Sequence, residues 1–397
     1  MSSTDRVVIV AGCRTGIGKF GGSLKDFQAP ELGAIVIKEA VKRAGISPRD
    51  VDEVVYGNVG QAAENAFCAR IAGVKAGLPY ETTALTVNRL CSSGLQAILT
   101  ATQEIRDGMS EIVVAGGCES MSNIPYYLRK ARFGYRMGHA ELEDGLITAL
   151  SDPFTRYHMG ITAENVAEKY GVTREDQDRW AVISQSRAAK ATEDGKFRDE
   201  IVPIEVKVGK HDTAIFATDE HIRPGTTMEK LAQLKPAFKK DGTVTAGNAA
   251  GINDAAAAVV LMKESKAKEL GLKPIVAVID YAVAGVDPMY MGIGPVPAMQ
   301  KLFRRTGLSK EDIGLIELNE AFAAQSVACI RELGLNEELV NVNGSGISMG
   351  HPIGATGCII TIKLMNEMLR RNVHYGVSTL CIGGGQGMAV LFENCAV

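Results

Sequence analysis

The chain has 397 residues, 46% of them hydrophobic and 22% charged, with a net charge of −3 and a pI near 6.1. This is the balance of a globular protein with two or three domains' worth of core, and it excludes the basic footprint of a general nucleic-acid binder. Eight cysteines, at 13, 68, 91, 118, 329, 358, 381 and 395, follow neither a disulfide-framework nor a zinc-site spacing, so reduced thiols and no metal are expected. Met1-Ser2-Ser3-Thr4 runs straight into the apolar stretch 7–10, so no leader is expected. No apolar stretch reaches membrane-spanning length, residues 255–262 being too short, and Cys395-Ala396-Val397 is no targeting address. A cytoplasmic protein without membrane or nucleic-acid partners is expected.

The predicted elements follow in chain order. Lys42-Arg43 end a helix that Gly45 stops. Ser47 with Asp50 three residues on forms a cap, and residues 53–57 read as a strand. Val87-Asn88-Arg89-Leu90 leads into Cys91 and a helix with a one-sided stripe of Leu95, Ile98, Leu99 and Ile105. Residues 112–117 form a further strand. A charged, loop-rich stretch over 121–250 follows, holding one clear helix capped by Thr173 with Asp176 and stopped at Gly195. Strand-like residues 257–262 then close the first half.

The same order begins again downstream. Arg304-Arg305, Gly307, and Ser309 with Asp312 precede the strand at 315–319, and Val340-Asn341-Val342-Asn343 stands where residues 87–90 stood. Residues 378–384 match 112–117, and 388–392 match 257–262. Each copy alternates short β runs with amphipathic helices, the mark of layered α/β units. The predicted division is an N-terminal half of residues 1–120 plus 251–272, an inserted loop domain of 121–250, and a C-terminal half of 273–397. An insertion tied to one half is expected to form a lid or binding subdomain.

Three reactive groups sit in glycine-rich turns: Cys91 before Ser92-Ser93-Gly94, His351 in Gly350-His351-Pro352-Ile353-Gly354, and Cys381 before Ile382-Gly383-Gly384-Gly385. A thiol at a helix start lies near unpaired N–H groups that stabilise thiolate, so a lowered Cys91 pKa is expected. Cys381, as a thiol titrating not far above neutrality, suits proton transfer. Five glycines between 344 and 357, with Pro352 stiffening the turn, favour a chemical over a structural role for His351. Nucleophile, base and backbone donors are the parts that acyl transfer needs.

With His158-Met159-Gly160, residues 245–251 and Asn319-Glu320-Ala321-Phe322, these blocks resemble the thiolases over nearly the whole chain and in the expected order. Within that family the pattern is most similar to the acetyl-CoA C-acetyltransferases. The resemblance implies an α/β, duplicated, layered α-β-α-β-α fold in which two half-sheets pack face to face around buried helices, with an inserted loop domain. It implies reversible Claisen condensation of two acetyl-CoA to acetoacetyl-CoA and CoA through an acetyl-Cys91 thioester. CoA thioesters would be substrates and no prosthetic group would be present. It implies that Cys91 is the nucleophile and Cys381 the acid/base. Gly383 N–H and Cys91 N–H would stabilise the oxyanion. His351 would lower the Cys91 pKa and hold the thioester oxygen, and Asn319 would position a water.

His158, Met159, Ala246, Ala250, Met291, Ala321 and Phe322 would line the pantetheine tunnel, with Arg223 and Phe238 near the nucleotide end. A homodimer or homotetramer is implied. Ala250 stands where many relatives carry serine, and Ser345 departs from the family's Asn-Gly-Gly-Ala, which is expected to reshape the acyl pocket. A Cys91–Cys381 disulfide under oxidation is a further expectation. The alternatives are a 3-ketoacyl-CoA thiolase of broader chain length, a decarboxylating ketoacyl synthase, against which Cys381 argues, and a non-catalytic acyl-CoA carrier or redox sensor on the same scaffold.

Overall fold

A computed structural model describes residues 5–209 and 211–397; the opening Met1-Ser2-Ser3-Thr4, on which the expectation of no leader rests, lies outside the described residues. The principal elements, in order, are β1 (Val7–Thr15), α1 (Ala29–Ala44), β2 (Glu53–Gly57), α2 (Cys68–Lys75), β3 (Thr83–Val87), α3 (Ser93–Asp107) and β4 (Ile112–Ser120). After the excursion that holds α4 (Met159–Lys169) and α5 (Arg174–Glu193), the chain returns as β5 (Asn253–Lys263). Next come β6 (Val276–Gly285), α6 (Pro295–Thr306), β7 (Leu315–Leu318), α7 (Ala323–Leu333), α8 (Thr356–Arg371), β8 (Tyr375–Ile382) and β9 (Gln386–Asn394).

The repeat read in the sequence is a repeat of topology. The first half-sheet has the order β3-β2-β4-β5-β1 and the second β7-β8-β9-β6, with a single parallel bridge from Ile316 to Val340 standing where β3 stands. In the N-half β3, β2 and β4 pair parallel, as β7 and β8 do in the C-half, and the remaining pairs of each half-sheet are antiparallel. The predicted punctuation is present in both copies. Gly45 and Gly307 end their helices at φ 71° and 75°, and the Ser47–Asp50 and Ser309–Asp312 capping boxes both form.

The core forms five layers. One cluster joins the N-half strands to α1 and α2 on an outer face. A second places α3 and α8 between the two half-sheets, with Leu95, Ile98, Leu99 and Ile105 of the predicted stripe fully buried. Burial of side chains this size contributes about 1.5–3 kcal/mol each. A third packs the C-half strands beneath α6 and α7, with α4 and Trp180 of α5 from the excursion joining the same cluster. Beyond the face-to-face expectation, the half-sheets also meet edge to edge, because Val8 and Ile9 of β1 pair with Ala277 and Val276 of β6.

The closest approach of the halves is backbone on backbone. The Gly354 carbonyl of the His351 turn enters a slot walled by Gly57, Gly94 and Gly117; a Cβ at these positions would lie 2.8, 3.0 and 2.1 Å from that oxygen. Only glycine leaves the space.

The excursion is tied back to β1 by charge. Arg14 is wholly buried, donating to Asp219 at 2.8 and 3.1 Å and to Glu200 at 3.1 Å, while Asp219 also accepts the Ile17 amide at 2.8 Å. Breaking such a pair strands the remaining charges in the interior. Arg14→Met is therefore expected to lower the free energy of unfolding by about 3–5 kcal/mol, read by denaturant titration; a loss below about 1 kcal/mol would show that the carboxylates find other partners.

Candidate active site

The Cys91 turn is built from local hydrogen bonds that hold an unfavourable backbone. Leu90 adopts φ 45°, a left-handed conformation costing an L-residue of its kind about 1–2 kcal/mol. The Asn88 carboxamide accepts the Leu90 amide at 2.9 Å, Ser93 Oγ accepts the Arg89 amide at 2.9 Å, and the Ser93 amide returns to Leu90 O at 2.9 Å. The Arg89 guanidinium reaches Gln96 on α3 and, at 3.2 Å, Gln386 at the start of β9, which ties this turn to the strand beside Cys381. Cys91 is two residues ahead of α3, with Ser92 as the N-cap.

Cys381 is the penultimate residue of β8, paired with Gly387 across the hairpin; Gly384 and Gly385 make the turn at φ 78° and 85°. His351 is anchored at three points. Its amide donates to Asn253 Oδ1 at 3.0 Å, Nδ1 is 2.7 Å from Thr356 Oγ1, and Nε2 is 3.3 Å from Asn319 Nδ2. Thr356 has one hydroxyl proton and gives it to Pro352 O at 2.9 Å. It must then accept from Nδ1–H, which leaves Nε2 with a lone pair facing the Asn319 amide.

A cavity of about 460 Å³ collects the predicted residues. Cys91, His351, Cys381, Gly383, His158, Met159, Arg223, Phe238, Ala246, Ala250, Met291, Ala321 and Phe322 all line it. Asn319 does not; fully buried, it sits one layer back behind His351 and faces a narrow void shared with Ser345, Thr356 and Lys363. Ser345 is thus outside the main cavity, correcting the expectation that it reshapes the acyl pocket: the short helix that follows it, Gly346–Met349, turns it toward α8.

The insertion shapes the far wall. His158 caps α4, its Nδ1 accepting the Gly160 amide at 3.1 Å, and its ring stacks on Phe238 at 4.8 Å between centroids. Phe238 meets Phe322 edge-on at 6.1 Å. Gly160 is required here, since a Cβ would lie 2.2 Å from the Phe238 ring. Residues 245–251 and the Asn-Glu-Ala-Phe block are stitched together through Ala250 N to Ala321 O at 3.0 Å and Ala323 N to Asn248 O at 2.8 Å.

Sequence reasoning missed Lys19, Phe20, Met121, Leu150, His221 and Ile353, all in the lining. Lys19 and Phe20 were findable, since they interrupt the glycine cluster Gly16, Gly18, Gly21, Gly22. The others belong to no spacing and meet only in space. Met121, Leu146 and Ile353 form a small apolar cluster against which Cys91 packs.

The thiolase N-terminal domain family matches residues 7–265, and the thiolase C-terminal domain family matches residues 272–394. The chain belongs to the thiolase family. An acetyl-CoA acetyltransferase of Pseudomonas aeruginosa is 54% identical over 385 residues, spanning 97% of this chain and 98% of that protein. The Bacillus anthracis acetyl-CoA acetyltransferase superposes with a TM-score of 0.97 at 50% identity, over 99% of this chain and 100% of its own. Human mitochondrial 3-ketoacyl-CoA thiolase, in complex with CoA, superposes with a TM-score of 0.95 at 45% identity, over 98% of each.

The electrostatics of this thiolase correct two expectations about its thiols and one about its imidazole. Burial pushes the Cys91 thiol up rather than down, and the Glu119 charge adds to this; N–H groups of Gly383 and of Cys91 itself, aimed at the sulfur, offset it only in part. Helix-start stabilisation loses because the sulfur is desolvated and stands ahead of the helix rather than on its axis. Cys381 is pushed well above the ordinary thiol range by burial and by Cys91 beside it. Burial lowers His351 to about 4, so near neutrality it is an uncharged acceptor and supplies no cation to depress Cys91.

Near neutrality Cys91 therefore rests as a thiol. Iodoacetamide labelling, followed from about pH 6 to about pH 10, is expected to keep rising past about pH 9, with Cys91 labelled ahead of Cys381. A plateau below about pH 8 would instead report a preformed thiolate.

Proposed function

We propose that this thiolase is an acetyl-CoA C-acetyltransferase, joining two acetyl-CoA to acetoacetyl-CoA and CoA and running the reverse thiolysis. The observation that carries the reading is that Cys91 from one half and Cys381 from the other open on one cavity beside His351 and Gly383. As Cys91 sulfur attacks the acetyl carbonyl, His351 Nε2 takes the thiol proton. The N–H groups of Gly383 and Cys91 meet the oxygen as it becomes anionic, donors of a kind worth about 10²–10³ in rate. Cys381, a thiol at rest, protonates the departing CoA sulfur. It is then the base that removes a methyl proton from the second acetyl-CoA.

The resulting enolate oxygen is held by His351 with Asn319, whose Oδ1 has no protein donor among the described residues and suits an ordered water. The enolate carbon attacks the acetyl group, the bond to Cys91 breaks, and the imidazolium returns its proton to sulfur.

Residues 121–250 would form the CoA-binding domain. The apolar stretch of the cavity, with Met159, Ala246, Ala250, Met291, Ala321 and Phe322, suits pantetheine, and Arg223 and Lys19 suit phosphate. An exposed sheet edge at β3 is consistent with assembly into homodimers or homotetramers. Among the described residues no helix is long and apolar enough to cross a membrane, consistent with a cytoplasmic enzyme. The apolar cluster of Met121, Leu146 and Ile353 against Cys91 favours a second reading, a 3-ketoacyl-CoA thiolase that accepts longer chains.

The test is acetoacetyl-CoA cleavage by wild type, Cys91→Ser and Cys381→Ser. Both variants should lose at least about 10³-fold in kcat, while the Cys381 variant incubated with acetyl-CoA alone, whose CoA thiolate can leave without an acid, should still show an acetyl group trapped on Cys91 by mass spectrometry. No trapped acetyl on wild-type Cys91 would favour a carrier or sensor. Faster cleavage of 3-ketohexanoyl-CoA than of acetoacetyl-CoA would move the reading to the broader thiolase.

A further inference from the structure

Glu119 belongs to no motif that the chemistry uses, yet it is one of the most heavily hydrogen-bonded acids in the interior. It is the penultimate residue of β4 and 1% exposed. Its two oxygens take the Asn58 carboxamide at 2.9 Å, the Val59 amide at 2.9 Å and the Gly60 amide at 3.0 Å, all from the loop that follows β2. The backbone of Gly354, from the His351 turn of the other half, packs against the same carboxylate, its amide lowering the Glu119 pKa. A Cβ on Gly354 would lie 2.6 Å from Oε2, and one on Gly60 would lie 3.0 Å from Oε1. The carboxylate thus fills the space between the two turns without slack. Its charge also raises the Cys91 pKa.

We infer that Glu119 is a positioning residue: its carboxylate clasps the His351 turn of the C-half against the Asn58–Val59–Gly60 loop of the N-half, and so sets the imidazole against the Cys91 sulfur. The inference rests on the acyltransferase reading above. Cys91 and His351 come from opposite halves, so their separation depends on what joins the halves locally. Glu119 is a bond of that kind next to the reacting atoms. Displacements of about 1 Å at reacting groups cost on the order of a hundredfold in rate. The titratable groups packed around the carboxylate are Cys91, Cys118 on its own strand and Asp254 on β5; its remaining neighbours are uncharged donors. Burial holds Glu119 at about 7, so a proton and an anion are both accessible to it near neutrality.

Glu119→Gln keeps the shape but turns an amide toward backbone donors and removes the charge. In acetoacetyl-CoA thiolysis its kcat is expected to fall roughly ten- to a hundredfold, with KM for CoA within about twofold, because the clasp touches no residue of the CoA tunnel. The labelling profile of Cys91 should move to lower pH, since the neighbouring negative charge is gone. A purely structural brace would lower the melting temperature and leave both readouts in place; kcat within about twofold of wild type together with an unmoved labelling profile overturns the inference.

Should Glu119→Gln fail to fold, Asn58→Ala removes one buried arm of the clasp and leaves the carboxylate in place. A fall in kcat of about threefold or more at constant KM then supports the clasp, and no change overturns it. A wild-type enzyme inert toward acetoacetyl-CoA would sink the acyltransferase reading instead, and the Cys91 labelling shift would still judge the clasp.

Discussion

The structure depends on a contact in which no side chain takes part. The Gly354 carbonyl lies in a slot of three glycines from the other half, and a single added carbon at Gly117 would come within 2.1 Å of it. Packing this close leaves no freedom for the His351 turn to drift, because interiors are dense and bistable rather than continuously deformable. The buried helices α3 and α8 hold the halves together over their length, and the short β1–β6 pairing joins them at the edge. The glycine slot decides where the imidazole stands relative to the thiol.

That rigidity is bought with dryness, and dryness sets the chemistry. Two thiols and an imidazole in a desolvated site all move toward their neutral forms, the thiols upward and the histidine down to about 4. At rest such a site holds neutral groups, and in the proposed reaction the imidazolium of His351 exists only while Cys91 is acylated. In the proposed reaction the backbone N–H groups of Gly383 and Cys91 would matter most at the moment charge develops. The same dryness protects a thioester from water.

Much of this was legible in the residues. The repeated glycine stops and Ser–Asp caps marked the two halves, since a left-handed C′ residue and a capping box are local facts that tertiary context seldom overrides. The stripe after Cys91 marked the buried helix. The cavity residues Met121, Leu150, His221 and Ile353 were not legible, because they come from separate segments and share no period. The ionisation of the thiols was misjudged for a related reason. A helix start can be read from a sequence, whereas desolvation is a sum over neighbours from both halves. Asn319 was recognised as part of a block, but its place behind His351 rather than in the cavity wall is a matter of depth that no spacing encodes.

The duplicated strand register has one more implication. The amide of Asp52 donates to Ile112 O in the first half as that of Gly314 donates to Tyr375 O in the second, and Tyr56 opposite Gly116 answers to Leu318 opposite Thr379. Two residues on, Cys118 holds the place in the N-half that Cys381 holds in the C-half, so residues 112–117 correspond to 375–380 and not to 378–384 as the sequence suggested. Over Cys381 the outer face is roofed by the excursion, whose residues wall an open chamber; over Cys118 it is sealed by α1, with Gly33 against the sulfur and Cys68 at 3.2 Å. The roof is supplied by one repeat and draped across the other, so the two equivalent strand positions face an open chamber in one half and a sealed helix in the other.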